Sequence, residues 1–349
     1  MAGIISYGAY IPFYRLSRKE IGKAWGKGGG AGEKAVAGGD EDTITMAVEA
    51  CYDSLNGMDA DKIDRLYFAS TTPPYVEKQS ASIISAALNL RKDIHTVDIG
   101  HSNRGGTNGL TAALDAVAGG KCKTALVAAS DAQVAPGDSP KELVFGAGAA
   151  ALAVGDTDVA VSIENTYSIT SEFMDAWRLP QDRHSQEWED RFVRDKGYLR
   201  ILPEAVAGFM QKHGKSPKDF DRVVYNAPNG KTHSIVAKKM GFDYKEQVQE
   251  PLFANVGDTG AASALMILVS CLEEAKPGDR ILLANYGDGA DVFELLVTDQ
   301  IEKIRDRRGI KGHLASKMEL SSYGKYLQLR NLMEWQVDRR PAPRTPLSQ

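Results

Sequence analysis

Apolar and polar positions along the chain alternate between short, nearly unbroken apolar runs and longer segments with helical spacing. The run Asp64-Arg65-Leu66-Tyr67-Phe68-Ala69 is β-prone and leads into a loop with Pro73 and Pro74, and Asp221-Arg222-Val223-Val224-Tyr225-Asn226 repeats it ahead of Pro228. Both predict buried strands that end in loops. A second matched pair, Thr124-Ala125-Leu126-Val127-Ala128-Ala129 and Arg280-Ile281-Leu282-Leu283-Ala284-Asn285, is separated by 156 residues, nearly the spacing of the first pair. Between the strands of each half, a small-residue loop runs into a helical pattern. Gly105-Gly106-Thr107 precedes Leu110, Ala113, Leu114 and Val117, and Gly257-Asp258-Thr259-Gly260 precedes Ala264, Leu265, Leu268 and Leu272. Neither segment has a strongly charged face, which predicts two central helices buried on all sides. Alternating strand and helix, duplicated once, predicts an α/β protein with two sheets related by an approximate two-fold axis. Corresponding loops of the halves should meet near that axis. The expected divisions are 1–165, 166–315, and a C-terminal segment 316–349 that either packs on the protein's own body or docks a partner.

Three further segments change the picture. Gly26-Lys27-Gly28-Gly29-Gly30-Ala31-Gly32-Glu33-Lys34 is glycine-rich but lacks the Gly-Lys-Ser/Thr ending of a phosphate loop, so a mobile surface loop is expected. Asp42 or Thr43 should cap a helix carrying Ile44, Ala47, Val48 and Cys51. From Met318 to Trp335, the residues Leu320, Tyr323, Tyr326, Leu327 and Leu332 suggest a partly apolar helix leading to the Pro- and Arg-rich end.

The 349 residues carry 42 Lys and Arg against 46 Asp and Glu, a formal charge of −4. With no basic stripe, nucleic acid is excluded as a main partner. The longest apolar stretches, such as 262–272, fall well short of the roughly 20 residues needed to cross a bilayer, so no membrane association is expected. The N-terminus shows no signal-peptide pattern, and the three cysteines, Cys51, Cys122 and Cys271, lie far apart with no Cys-x-x-Cys pair. A cytoplasmic protein without a metal site is expected, its thiols buried and inert.

Motifs spread over nearly the whole chain then point to a family. They include Gly8-Ala9-Tyr10-Ile11-Pro12, Asp40-Glu41-Asp42-Thr43, Ala135-Pro136-Gly137-Asp138, Pro228-Asn229-Gly230-Lys231, Glu274-Ala275-Lys276-Pro277-Gly278-Asp279 and Tyr286-Gly287-Asp288-Gly289. The sequence resembles the 3-hydroxy-3-methylglutaryl-CoA synthases, most closely the archaeal type, within the thiolase superfamily that also holds ketoacyl synthase III. The resemblance implies a thiolase-like, five-layered αβαβα fold of two duplicated halves, and carbon-carbon bond formation between acyl-CoA molecules through a Cys at the N-terminus of the buried central helix. A helix N-terminus lowers a thiol pKa and receives developing negative charge. At that position this chain has Asn103, whose amide forms no acyl-enzyme. Thr71 stands where the resemblance places a catalytic Glu, Asn226 where it places a His, and Asp258 at the Asn of the ketoacyl synthase III Gly-Asn-Thr loop.

Three functions are therefore weighed. The first is a synthase-like subunit that lacks the cysteine-dependent activity and completes an acyl-CoA-processing complex. Its implied partners are a thiolase-superfamily subunit, in a homo- or heterodimer, and a thiolase with an OB-fold or zinc-ribbon protein. The second is a cysteine-free acyl-CoA enzyme of retro-aldol, aldol or decarboxylative type. There Asp258 would be the general base, Asn103 and Asn226 would orient a carbonyl, and Tyr75 or His101 would supply a proton. The competing reading of Asp258 is a helix N-cap. The third is genuine hydroxymethylglutaryl-CoA synthase activity. No cofactor is required in any of them; the ligand is a coenzyme A thioester, with Lys231 and Arg178 as candidate contacts to its phosphates. His233 is expected on an exposed helix surface, as are Lys238 and Lys239.

Overall fold

The computed structural model describes residues 2–334. In the first half, β1 (Gly3–Tyr10), β2 (Arg65–Ala69), β3 (His95–Ile99), β4 (Thr124–Ala132) and β5 (Ala147–Gly155) form one set of strands. The second half contributes β6 (Val161–Thr170), β7 (Arg222–Tyr225), β8 (Arg280–Tyr286) and β9 (Gly289–Val297). Within each half the pattern is the same. A parallel pair, β2 with β4 and β7 with β8, is followed by antiparallel partners, β4-β5-β1 and β8-β9-β6. The expected two sheets are hydrogen-bonded into one. β1 meets β6 over only Gly3 with Ser162 and Ile4 with Val161, and the order across all nine strands is β7-β8-β9-β6-β1-β5-β4-β2-β3. The second half has no full counterpart of β3; a single parallel bridge from Val223 to Val248 stands in its place.

The repeated Asp-Arg pair has a local cause. The Asp64 N–H donates to Thr124 O at 2.9 Å and its carboxylate accepts from Lys123 N at 2.7 Å, while the Asp221 N–H donates to Arg280 O at 2.9 Å and its carboxylate accepts from Arg280 N at 2.7 Å. Each aspartate thus pins the start of the neighbouring parallel strand, and with it the register.

Six helices complete the layers: α1 (Thr43–Leu55), α2 (Ser80–Ala87), α3 (Gly105–Ala118), α4 (Leu199–His213), α5 (Gly230–Met240) and α6 (Ser263–Leu272). Helices α1 and α2 cover the outer face of the first-half strands and α4 and α5 that of the second. Helices α3 and α6 share one core cluster with the inner faces of both halves. This is the five-layered αβαβα arrangement. Every residue of α6 except Ser270 is buried, as its all-round apolar pattern requires, whereas α3 departs from that expectation: Asp115 and Ala118 are exposed and Asn108, Thr111 and Ala112 half-buried along one face. Asp42 caps α1, accepting from Ile44 N and Thr45 N.

Several expectations need correction. The glycine-rich segment is not a free loop: it ends in a strand, Glu33–Val36, that pairs with Tyr14–Ser17, and Gly29 is wedged so tightly that a Cβ there would fall 1.5 Å from Arg18 O. The C-terminal segment is not one helix. Met318–Glu319 adds a third, parallel strand beside Tyr14–Arg15, and a helix occupies only Tyr323–Leu329, where the Ser322 hydroxyl accepts from Lys325 N. The Pro- and Arg-rich end lies outside the described residues. Cys51 and Cys271 are buried and burial raises both thiols, Cys271 to about 12, whereas Cys122 is only half-buried.

His233 is the clearest reversal. It is 1% exposed, stacked on the Tyr225 ring at 4.3 Å, with both ring nitrogens lacking a partner. The helix turns its 233 position inward because Val236, Ala237 and Met240 share that face against Tyr225. Burial holds His233 at a pKa of about 4, and His313 likewise at about 4. The unfolded chain therefore binds a proton that the folded chain refuses between about pH 6.5 and 4, and stability is lost as pH falls through that window. Each histidine should remove about 2 kcal/mol of stability between pH 7 and 5. Urea unfolding at the two pH values should show the difference shrinking by about that amount in His233→Phe; an unchanged difference would refute the assignment.

Candidate active site

In the parallel pairs, β2 and β4 run toward the same end of the sheet as their C-termini, and β7 and β8 do so in the second half. α/β sheets bind ligands outside the carboxyl ends of such strands. Here those ends deliver Thr71 and Thr72 after β2, Gln133 and Val134 after β4, Asn226 after β7, and Tyr286, Gly287 and Asp288 at the close of β8. They surround a cavity of about 610 Å³, which His101, Ser102 and Asn103 enter ahead of α3 and Asp258 enters ahead of α6.

Thus five predicted site residues, Thr71, His101, Asn103, Asn226 and Asp258, are brought together on one cavity, and Arg178 lines it as well. Lys231 and Tyr75 are not in the lining; Lys231 is exposed on the first turn of α5, and Tyr75 is 52% exposed. Asn103 precedes α3, whose cap position, Arg104, supplies no side-chain hydrogen bond. The N–H groups at its head are engaged, Arg104 N donating to Ser102 Oγ at 3.3 Å and Gly105 N to Ser102 O at 2.9 Å, and none of residues 104–107 lines the cavity. Asn285 Nδ2 holds the approach by donating to Asn103 O and to Thr107 Oγ1, each at 3.2 Å.

Four other candidates are already engaged. Asn226 Oδ1 accepts from Tyr286 N at 3.0 Å and its Nδ2 donates to Tyr286 O at 3.3 Å, so its amide braces the end of β8. Thr71 Oγ1 donates to Asp131 Oδ2 at 2.9 Å, and Arg178 Nη2 donates to Thr71 O at 3.0 Å. Asp258 is not a cap of α6. Its Oδ1 accepts from Gly260 N at 3.0 Å, closing the short 3-10 turn Gly260–Ala262 that comes first. Burial raises the Asp258 pKa, with Asp131 adding to the rise and the Gly260 N–H and Lys141 opposing it.

Three features escaped sequence reasoning. Asp131, 0% exposed, accepts at Oδ1 from Ser70, Thr71 and Thr72 and at Oδ2 from Ala261 N at 2.7 Å, tying the loop after β2 to the start of the second central helix. Its signal was a lone carboxylate at the end of an apolar strand. The second is Asp175, raised by burial, whose Oδ2 accepts from the Tyr286 hydroxyl at 2.7 Å inside the cavity. The third is the ion pair of Lys141 and Glu187 at 3.2 Å, both on the lining. Neither pair has a spacing signature. Among the described residues no cysteine lines the cavity.

Comparison with known proteins agrees with this arrangement. The hydroxymethylglutaryl-CoA synthase of Methanopyrus kandleri is 34% identical over 95% of this chain and 98% of its own, and that of Aeropyrum pernix is 37% identical over 94% of each. The chain belongs to the hydroxymethylglutaryl-CoA synthase family. Residues 210–298 also match the family described as 3-oxoacyl-[acyl-carrier-protein (ACP)] synthase III C terminal. Among solved structures, an HMG-CoA synthase complexed with CoA superposes with a TM-score of 0.84 at 21% identity, covering 97% of this chain and 92% of that one. The Aquifex aeolicus 3-oxoacyl-[acyl-carrier-protein] synthase III superposes at 0.75 and 22% identity, over 85% and 100%. The thiolase-like fold is therefore that of this synthase family.

Within this member, Asp131 carries a cost that can be measured. Asp131→Ala strands several buried donors and should destabilise the protein by roughly 3 kcal/mol or more, with Asp131→Asn between it and the wild type, both read from urea midpoints. A loss below about 0.5 kcal/mol would show that the donors find other partners.

Proposed function

We propose that this chain binds a coenzyme A thioester in the 610 Å³ cavity but forms no acyl-enzyme, serving as the non-nucleophilic subunit of an acyl-CoA-processing complex. One observation carries the reading: the side chain ahead of the buried central helix is Asn103, and no cysteine is among the described cavity residues. A carboxamide cannot accept an acyl group from a thioester as a thiolate does. Thr71 and Asn226, at the positions the resemblance assigns to acid-base chemistry, support it, since the hydroxyl of one and the amide of the other are held by Asp131 and by the Tyr286 backbone. In this reading Asn103 orients the thioester carbonyl and Arg178, on the same lining, receives phosphate charge.

Intact-protein mass spectrometry after incubation with acetyl-CoA tests the proposal. The wild type should stay unmodified while equilibrium dialysis shows it binding acetyl-CoA, and Arg178→Ala should weaken that binding roughly tenfold. Asn103→Cys should gain an acetyl adduct, because a thiol at a helix N-terminus is acidified. An acetylated wild type, or hydroxymethylglutaryl-CoA made from acetyl-CoA and acetoacetyl-CoA by the chain alone, would establish the genuine synthase reading instead.

A second reading has its own observation, the raised pKa of Asp258 on the cavity. As a general base, Asp258 acts when ionised, so a cysteine-free reaction would rise with pH through its elevated pKa. Asp258→Asn should abolish such a reaction while leaving assembly intact. Retained activity in that variant would remove the base role.

A further inference from the structure

The cavity wall from Ser139 to Phe145 is held from behind by residues that line no part of the cavity. Ser139, Pro140, Lys141 and Phe145 face the cavity, and Glu142 between them is 1% exposed and outside the lining. Its Oε1 accepts from the Tyr323 hydroxyl at 2.5 Å, and its Oε2 accepts from Trp25 Nε1 at 3.0 Å and Asp138 N at 2.9 Å. Lys34, 2% exposed, donates from Nζ to Glu142 O at 2.7 Å and to the Tyr326 hydroxyl at 3.2 Å, with its ammonium 4.4 Å from the Tyr326 ring centre. Arg18 Nε donates to Leu143 O at 2.9 Å. The same wall then reaches a candidate base. Asp258 N donates to Val144 O and Gly146 N donates to Asp258 O, each at 2.8 Å.

Burying an amine here is expensive, and burial pulls the Lys34 pKa down to about 7, with Arg330 and Arg18 adding to the fall and Glu142 opposing it. An apolar side chain of similar length would fill the space without that cost. What it would not supply is a donor to the Glu142 carbonyl.

We propose that Lys34 is a positioning residue of the cavity: with Glu142 and Tyr326 it fixes the Ser139–Phe145 wall and, through Val144 and Gly146, the placement of Asp258. The C-terminal helix Tyr323–Leu329 thereby belongs to the site without touching it. This rests on the proposed function only for the ligand used below, not for the geometry.

Hydrogen-deuterium exchange on the full chain, without ligand, is the test. In Lys34→Met the amides of Gly146 and Asp258 should exchange roughly tenfold faster or more, while Leu126 and Leu283 in the core strands keep their rates. Acetyl-CoA affinity should fall in parallel. Unchanged exchange at Gly146 and Asp258, or equal acceleration of the core strands, would overturn the proposal and leave Lys34 a contributor to stability alone. Tyr326→Phe removes one hydroxyl and should give the same local pattern at smaller size, which decides the matter if Lys34→Met does not fold. If the wild type binds no acetyl-CoA, the ligand assignment fails while the exchange comparison still judges the wall.

Discussion

One helix without a polar face, α6, governs this structure. α6 packs on strands from both halves and leaves only Ser270 partly open, while α3 shares its core cluster but turns Asp115 and Ala118 outward. A helix apolar all round is stable only when enclosed, so each half must lend its sheet to one side of the shared layer. The outer helices α1, α2, α4 and α5 then need to be apolar on a single face, and they cover the remaining sheet surfaces. The five layers follow from that one requirement. So does the placement of the cavity, because central helices entering between two sheets bring their N-termini to the carboxyl ends of the parallel strands.

At that junction, polar groups serve architecture and chemistry together. Asp131 accepts from the loop of the first half and from Ala261 at the head of the second central helix, so a single carboxylate spans the seam. Asn226 closes β7 onto β8 through paired bonds to Tyr286. The groups facing the cavity mix amides, hydroxyls, carboxylates and cations with apolar side chains such as Val134, Phe145, Trp177 and Val193. The thiols lie elsewhere, and those of Cys51 and Cys271 are raised by burial.

The duplicated strands, the position of the two central helices, the all-round burial of α6 and the convergence of Thr71, His101, Asn103, Asn226 and Asp258 were legible because each depends on a local pattern or on motifs with fixed anchors, whereas the open side of α3 was not. His233 was misread because its neighbour Lys231 suggested a solvated face, although Val236, Ala237 and Met240 recur at helical spacing from it and mark the side that turns inward onto Tyr225. Lys34 and the C-terminal strand Met318–Glu319 were missed for a related reason. Their partners, Glu142, Tyr326 and Tyr14, are far away in sequence, and a lysine in a glycine-rich stretch reads as solvated. Asp175 with Tyr286 is likewise a meeting of distant segments. Short-range signals set the elements; the polar network comes from tertiary pairing.

The closest approach of the two central helices has a consequence for the chain as an object. Gly106 lies so near the other helix's approach that a Cβ there would stand 2.8 Å from Ala261 O, and the same Ala261 donates its N–H to Asp131. At this point the halves meet backbone to backbone, with the Leu265 side chain beside the contact. Cut apart, the halves would expose the apolar α6 to water and divide the lining of the one cavity they share. The protein is in effect a dimer whose two subunits were fused, and neither half is any longer a tradable part: an exchange of one half for a relative's would have to preserve this backbone contact before any question of chemistry arose.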